Sequence, residues 1–405
     1  MDPSVQEWLN LAVRWAHVIA AIMWIGDSFL FMWLDSQLRT PTQPREGDVV
    51  GELWMAHSGG FYEVIKRKSL TALPAELHWF KWESYTTWIT GFLLLIIVYW
   101  AGGRAMLLDA NSPMAQSTAV AISFGILAAS VAIYHALCRS PLIRSVGAFS
   151  LFGLVAVVAG SYAMGLVFTP RAVFLQIGAM LGSIMASNVF FIIIPAQREM
   201  LAATAEGRTV DTSYGARAKA RSAHNHYLTF PVLFTMLSNH FPSLYGNPTP
   251  WAVLGLISVV AVGVKVVMRT RTSTPVWIWG GTLAALVATI VLTLPPSPAD
   301  ADPALLSRPH VAFSEVRTII TARCVTCHAQ QPTFAGFAAP PQGVVMESAA
   351  EVAAQAQRMM VRVVQTKTMP LGNLTAMTDD ERLTIGAWIV QGADVNAATM
   401  APTTP

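Results

Sequence analysis

Apolar residues fall into eight runs separated by short polar stretches, at roughly 9–34, 84–101, 116–138, 146–168, 172–195, 226–242, 251–268 and 275–294. Each approaches the ~20 residues that a helix needs to cross the hydrocarbon core of a bilayer. The run at 226–242 is short and interrupted by Pro231, which removes a helical hydrogen bond. No basic segment precedes Trp8 and no small-residue cleavage site follows the first run, so that run is expected to be a retained span rather than a signal peptide. After residue 294 the pattern changes. Leu294 to Pro303 is a Pro-rich, semi-rigid tether. Beyond it, Thr378 followed by Asp379, Asp380 and Glu381 caps a helix carrying Leu383, Ile385, Trp388 and Ile389. The expected fold class is all-α: a polytopic helix bundle of about eight spans over 1–294, a linker over 295–307 and a small helical domain over 308–405.

Composition and charge sharpen this picture. The chain is 54% hydrophobic and only 12% charged, against about 25% charged in soluble domains, so lipid is its main surroundings. Taking eight spans, the connections at 35–82, 139–145, 196–223 and 269–274 hold fifteen Lys and Arg residues. The alternate set holds only Arg104 and Arg171. The positive-inside rule makes the first set cytoplasmic. Both termini are then expected outside, which for a bacterial inner membrane means the periplasm. The net charge of +3 follows from this loop bias and gives no reason to infer a nucleic-acid partner.

The most specific motif lies behind the spans. Cys324-Val325-Thr326-Cys327-His328 has the spacing at which two thiols add to the vinyl groups of a haem while the His supplies an axial ligand. A structural zinc would need a second ligand pair, but the remaining cysteine, Cys138, lies in an apolar run. A redox Cys-x-x-Cys motif would need a βαβ setting. One covalent haem c is therefore expected, on the periplasmic side where the topology independently puts this domain. A sixth ligand is expected from Met369, because Pro370 stiffens the loop that presents it. Met346, Met359, Met360 and Met377 are competing sulfurs, with Met359 and Met360 in a helix-like run from Ala349 to Val364. Helix, haem motif, Met-Pro loop and closing helix follow in the order of a class I cytochrome c.

Polar groups inside spans are costly and usually serve a function. Arg14, His17 and Asp27 lie in the first run, His78 and Glu83 at the mouth of the second, and His135 at the end of the third. Gln176 and Asn188 lie in the fifth, and Asn225 and His226 open the sixth. One reading leaves the histidines as interfacial residues. The other makes a subset of His17, His78, His135 and His226 ligands of a haem b between helices, and spacing alone does not pair them. A planar anion would need Arg and amide partners in a sheltered site. Arg14, Gln176, Asn188 and Asn225 are the candidate binding groups, with Asp27, Glu83 and His226 the candidate acid–base groups.

Three stretches carry a resemblance. They are Trp15 to Phe29 (WAHVIAAIMWIGDSF), Glu76 to Gly91 (ELHWFKWESYTTWITG) and Ser222 to Val232 (SAHNHYLTFPV). With the fused haem motif, the whole chain resembles the bacterial membrane-bound urate oxidases, or urate hydroxylases. The His-then-Trp-Gly pattern of the first run is also distantly similar to small membrane haem b proteins of the protoporphyrinogen-oxidase and copper-resistance D type. The urate oxidase resemblance implies oxidation of urate to 5-hydroxyisourate in purine breakdown. Electrons would pass through the chain's own haem c to a terminal cytochrome oxidase or a soluble cytochrome c, without peroxide. The alternative is a membrane electron-transfer cytochrome for quinol or a protein partner. A metal or haem transporter would need ligands stacked along one path, whereas here they are scattered.

Overall fold

The computed structural model describes residues 3–43, 45–70, 72–270, 273–294, 303–334 and 337–396. α1 (Pro3–Gln37) leads into a hairpin of β1 (Val49–His57) and β2 (Gly60–Arg67), antiparallel with Trp54 opposite Glu63. α2 (Trp82–Leu94) follows and continues as a π turn, Leu95–Trp100. Then come α3 (Gln116–Leu137), α4 (Val146–Gly165) and α5 (Pro170–Asn188). A π turn over Val189–Ile193 joins α5 to α6 (Ile194–Ala205) in one continuous rod. α7 (Thr212–Leu237), the short α8 (Pro242–Tyr245), α9 (Pro250–Thr270) and α10 (Val276–Thr293) complete the bundle.

Six of the described helices are long and apolar enough to cross a membrane. The other two expected spans are helical as well. The second is a 13-residue helix extended by its π turn, and the sixth is the outer half of α7, whose first half is polar. Two expectations need correction. The connection at 35–82 is not all loop: its middle forms the β-hairpin, bridged to the end of α1 by the Lys66–Asp35 ion pair and backbone pairing of Arg39 with Glu52. This is a local departure from an all-α chain. Pro231 does not interrupt the sixth segment but lies buried within α7.

Local chemistry accounts for the ends of the rods. Asp211 caps α7 by accepting from the Ser213 amide at 2.8 Å. Pro170 occupies the first turn of α5, where its missing N–H costs nothing. The π turn at 189–193 precedes Pro195, whose ring cannot pack against a regular preceding turn. α5 is the axis of the bundle: 61% of its apolar window is buried, against 11% for α1 and α10 and 6% for α4. Phe174, Ile177, Leu108 and Leu254 form the centre of the core. Trp15, Ile22, Leu151, Val155, Leu283 and Val291 are exposed on the outer helices, continuous apolar faces that call for lipid rather than water. Small residues let the inner rods approach. A Cβ at Gly178 would collide with the Thr235 side chain and Met236 Cε, and one at Gly263 with Thr282.

The tether expected at 295–307 lies outside the described residues up to 302 and ends as α11 (Pro303–Leu306). The C-terminal unit then runs through α12 (Phe313–Arg323), α13 (Val325–His328), α14 (Ala349–Ala354), α15 (Ala356–Met359), a π turn to Gln365 and α16 (Asp379–Val390). Thr378 and Glu381 form a reciprocal capping box at the start of α16. Phe313, Val316, Ile320, Val352, Met359, Ile385 and Trp388 make a separate core.

The Gly178 contact gives a stability prediction. Gly178→Val should wedge α5 from α7 and cost about 1–3 kcal/mol, read as a lower thermal midpoint in detergent. Gly182→Val, where a Cβ meets nothing within 4 Å, should leave that midpoint nearly unchanged.

Candidate functional site

A buried polar network joins α3, α5 and α7. Asn188 ends α5 just before the π turn and has no exposed surface. Its amide nitrogen donates to the Tyr134 hydroxyl and to Asn225 Oδ1, both at 2.9 Å. Asn225 in turn donates to the Met185 carbonyl at 3.0 Å. Tyr134 and His224 Nδ1 are 2.7 Å apart. The Tyr134 oxygen has acceptor capacity for both the Asn188 amide and an Nδ1–H of His224, a tautomer that leaves His224 Nε2 as an acceptor. His224 stacks on Phe149 at 5.1 Å, and the Arg221 guanidinium lies 5.2 Å from the Tyr134 ring.

A second group lies toward α1 and α9. Lys265 is 1% exposed, with Nζ 3.7 Å from the Phe29 ring centroid and 5.2 Å from that of Phe230. His226 reaches Ser222 at 3.5 Å. Across both groups and the start of α2, five buried atoms have no hydrogen-bond partner among the described residues: Glu83 Oε2, Asn188 Oδ1, Arg221 Nη1, His226 Nδ1 and Lys265 Nζ. Each such atom costs about 1–3 kcal/mol when left unpaired, and native interiors hold few of them. All five lie toward the end of the bundle where α1 finishes and α2 begins. Donors and acceptors are both represented among them.

The residues singled out from sequence divide accordingly. Asn188 and Asn225 come together. Gln176 does not join them, since it closes a self-sufficient pair with Ser123 at 2.8 Å in both directions. Arg14 bonds Asn10 on an exposed face. Asp27 lies within electrostatic range of Glu83 and His78. Each of the four candidate haem b ligands has its own surroundings. His17 Nδ1 is 3.0 Å from the Thr87 carbonyl and 3.1 Å from Thr90 Oγ1, with Gly91 against its ring. His78 packs edge-on against Phe80, His135 Nε2 is 3.0 Å from Ser187 Oγ, and His226 faces Ser222. Among the described residues, no three His, Cys, Asp or Glu side chains gather as a metal-holding group.

The C-terminal residues fit a covalent haem. Cys324 closes α12 and Cys327 lies in α13, with both thiols free. Burial pushes the Cys324 thiol up to about 12 and also raises that of Cys327. His328 Nδ1 is 2.9 Å from the Val344 carbonyl, which uses one ring nitrogen and leaves Nε2 for a metal. Cys324, Val325, Met346, Met360, Val364 and Met369 are half-buried at the edge of the core, while Met359 and Met377 are buried inside it. Arg382 holds the Met369 loop by donating to the Val363 and Met369 carbonyls at 2.6 Å and to Asn373 at 3.2 Å.

Residues 3–294 match the family model for the urate oxidase N-terminal domain. The chain belongs to the urate oxidase N-terminal family. The match ends where the apolar helices end, and the family implies an oxidoreductase acting on urate. Comparisons with curated proteins and with solved structures gave no match. Within this urate oxidase domain the sequence reading passed over Arg221 and Lys265. Lys265 had a usable signal, a lone cation within the apolar run at 251–268. Arg221 had none, because it reads as one more basic residue of a cytoplasmic connection until α7 is seen to begin at Thr212.

Proposed function

We propose that the bundle binds urate at the Asn188–Asn225–Tyr134 network and oxidises it, and that the C-terminal unit is a cytochrome c domain that carries the electrons away. The observation that supports this most strongly is the pair of buried, unpartnered atoms, Asn188 Oδ1 and Arg221 Nη1, beside a connected amide network inside the family-matched stretch. Urate offers ring N–H donors to an amide oxygen and an anionic edge to a guanidinium. His224, donating from Nδ1 to Tyr134, would accept at Nε2 a proton released as urate is oxidised. Asp27, Glu83 and His226 provide further proton acceptors at the same end of the bundle. Overall, urate and one water give 5-hydroxyisourate, two electrons and two protons, with the water adding at C5 after the electrons have left.

Covalently bound haem c would supply a one-electron acceptor, held by Cys324, Cys327, His328 and Met369. In this reading the membrane orientation is N-out and C-out in a bacterial inner membrane. Urate then reaches the network from the cytoplasmic end, and a terminal cytochrome oxidase or soluble cytochrome c takes the electrons on the other side. Asn188 stands seventeen residues along the helix from Arg171, roughly 25 Å at 1.5 Å per residue. Substrate binding and haem reduction should therefore appear as kinetically distinct phases. A membrane electron-transfer cytochrome without urate specificity is the competing reading, and substrate-site variants separate the two.

Asn188→Ala and Asn225→Ala should each raise the KM for urate about 10- to 100-fold, the worth of a charge-assisted buried hydrogen bond, with haem content unchanged. An unaltered KM in both would move the substrate elsewhere. Met369→Ala should abolish the weak long-wavelength band of Met-ligated ferric haem and lower the reduction potential. If spectrum and potential stay as in the parent, Met369 is not the ligand.

A further inference from the structure

The segment that carries Met369 is wedged against the urate oxidase domain. The Ala110 amide donates to the Gly372 carbonyl at 2.7 Å. A Cβ on Gly372 would lie 2.9 Å from the Ala105 carbonyl oxygen and 3.0 Å from that of Leu108, and the residue sits at φ +53°, where glycine is favoured. On the other flank, a Cβ on Gly246 would lie 2.5 Å from Thr366 Cβ and 2.7 Å from Thr368 Cγ2. Two glycines, one on each partner, thus allow backbone-level contact on both sides of Met369.

The platform beneath is itself fixed. Arg104 donates to the carbonyls of Ala110 at 3.1 Å, Met114 at 3.4 Å and Ser112, folding 104–114 into one loop. Leu107 and Leu108 anchor that loop in the bundle core, and the Leu107 carbonyl accepts from the Thr169 amide at 2.8 Å. Asp109 acts electrostatically on Arg382, the residue that holds the Met369 carbonyl. Arg104 and Arg171 are the two basic residues that break the loop charge bias. Arg104 organises this platform, and Arg171 donates to Asn239 at 3.2 Å close to Tyr245, beside Gly246. Basic side chains on the sparsely charged face are thus explained by the seam.

We infer that the 104–110 loop and Gly246 form a docking platform that positions the Met369 segment, so that residues of the urate oxidase domain control Met ligation of the haem in the C-terminal domain. The inference rests on the haem c reading above. Arg104, Ala110 and Gly246 act as positioning residues, touching neither haem nor substrate. Gly246→Ala places a methyl against Thr366 and Thr368, and Ala110→Pro removes the amide that holds Gly372. Each should shift the balance between Met-bound and Met-free haem about two- to tenfold, the worth of one net hydrogen bond or packing contact.

The test uses full-length holoprotein in detergent, with haemochrome content, the Met–Fe(III) band and the reduction potential measured for each variant. Expected is unchanged covalent haem, a weaker band and a lower potential in Gly246→Ala and Ala110→Pro, with Gly160→Ala, where a Cβ meets nothing within 4 Å, behaving as the parent. Thr368→Ser combined with Gly246→Ala should recover part of the band by removing one of the methyl contacts. Band and potential unchanged in both seam variants would overturn the inference while leaving haem c standing. Parent protein without covalent haem would overturn the haem reading and this inference together.

Discussion

The contact between α5 and α7 is the constraint from which the rest of the domain follows. Polar side chains buried among apolar helices must find one another or leave costly unpaired atoms, and here Asn188 and Asn225 bridge the two rods at 2.9 Å. Gly178, further along α5, lets the same rods close against Thr235. Amide pair and glycine fix both the separation and the level of the helices. Tyr134, His224 and Arg221 are consequences of that level, since α3 and the first half of α7 can present them only there. The same packing leaves Asn188 Oδ1 and Arg221 Nη1 unmatched among the described residues, so the interaction that holds the bundle together also leaves polar capacity unused beside it.

The π turns belong to this logic. The turn at Val189–Ile193 lets the helix pass Pro195 without a break and follows directly on Asn188. Local widening of a helix is a common way to aim a side chain inward. At the other end of α2, the π turn over Leu95–Trp100 delivers the chain to the Arg104 loop. The Asn188 network and the Arg104 loop therefore lie at opposite ends of the bundle, each beside an irregular turn.

Much of this was legible in the sequence. The runs at 84–101, 116–138, 146–168, 251–268 and 275–294 place their helices to within a few residues, whereas α1, the rod begun by α5, and α7 extend well past their runs into polar sequence that hydropathy does not register. The Thr378–Glu381 box was readable because capping is local chemistry. Asn188 and Asn225 stood out as amides in apolar runs, but their partnership depends on helix packing that spacing does not encode. Gln176, another buried amide, satisfies itself with Ser123. The hairpin at 49–67 was missed because its exposed strands lack clean alternation, as its burial pattern shows. Pro231 misled because its lost hydrogen bond was weighed without the packing that keeps α7 helical around it.

The central claim is that urate's electrons leave through the chain's own haem. Its most direct test is an anaerobic titration of oxidised holoprotein with urate, following the reduced cytochrome c bands with no other acceptor present. The account predicts two haems reduced for each urate consumed, one electron to each protein molecule, with 5-hydroxyisourate formed in step. Urate consumption without haem reduction, or haem that stays oxidised in excess urate, would contradict it.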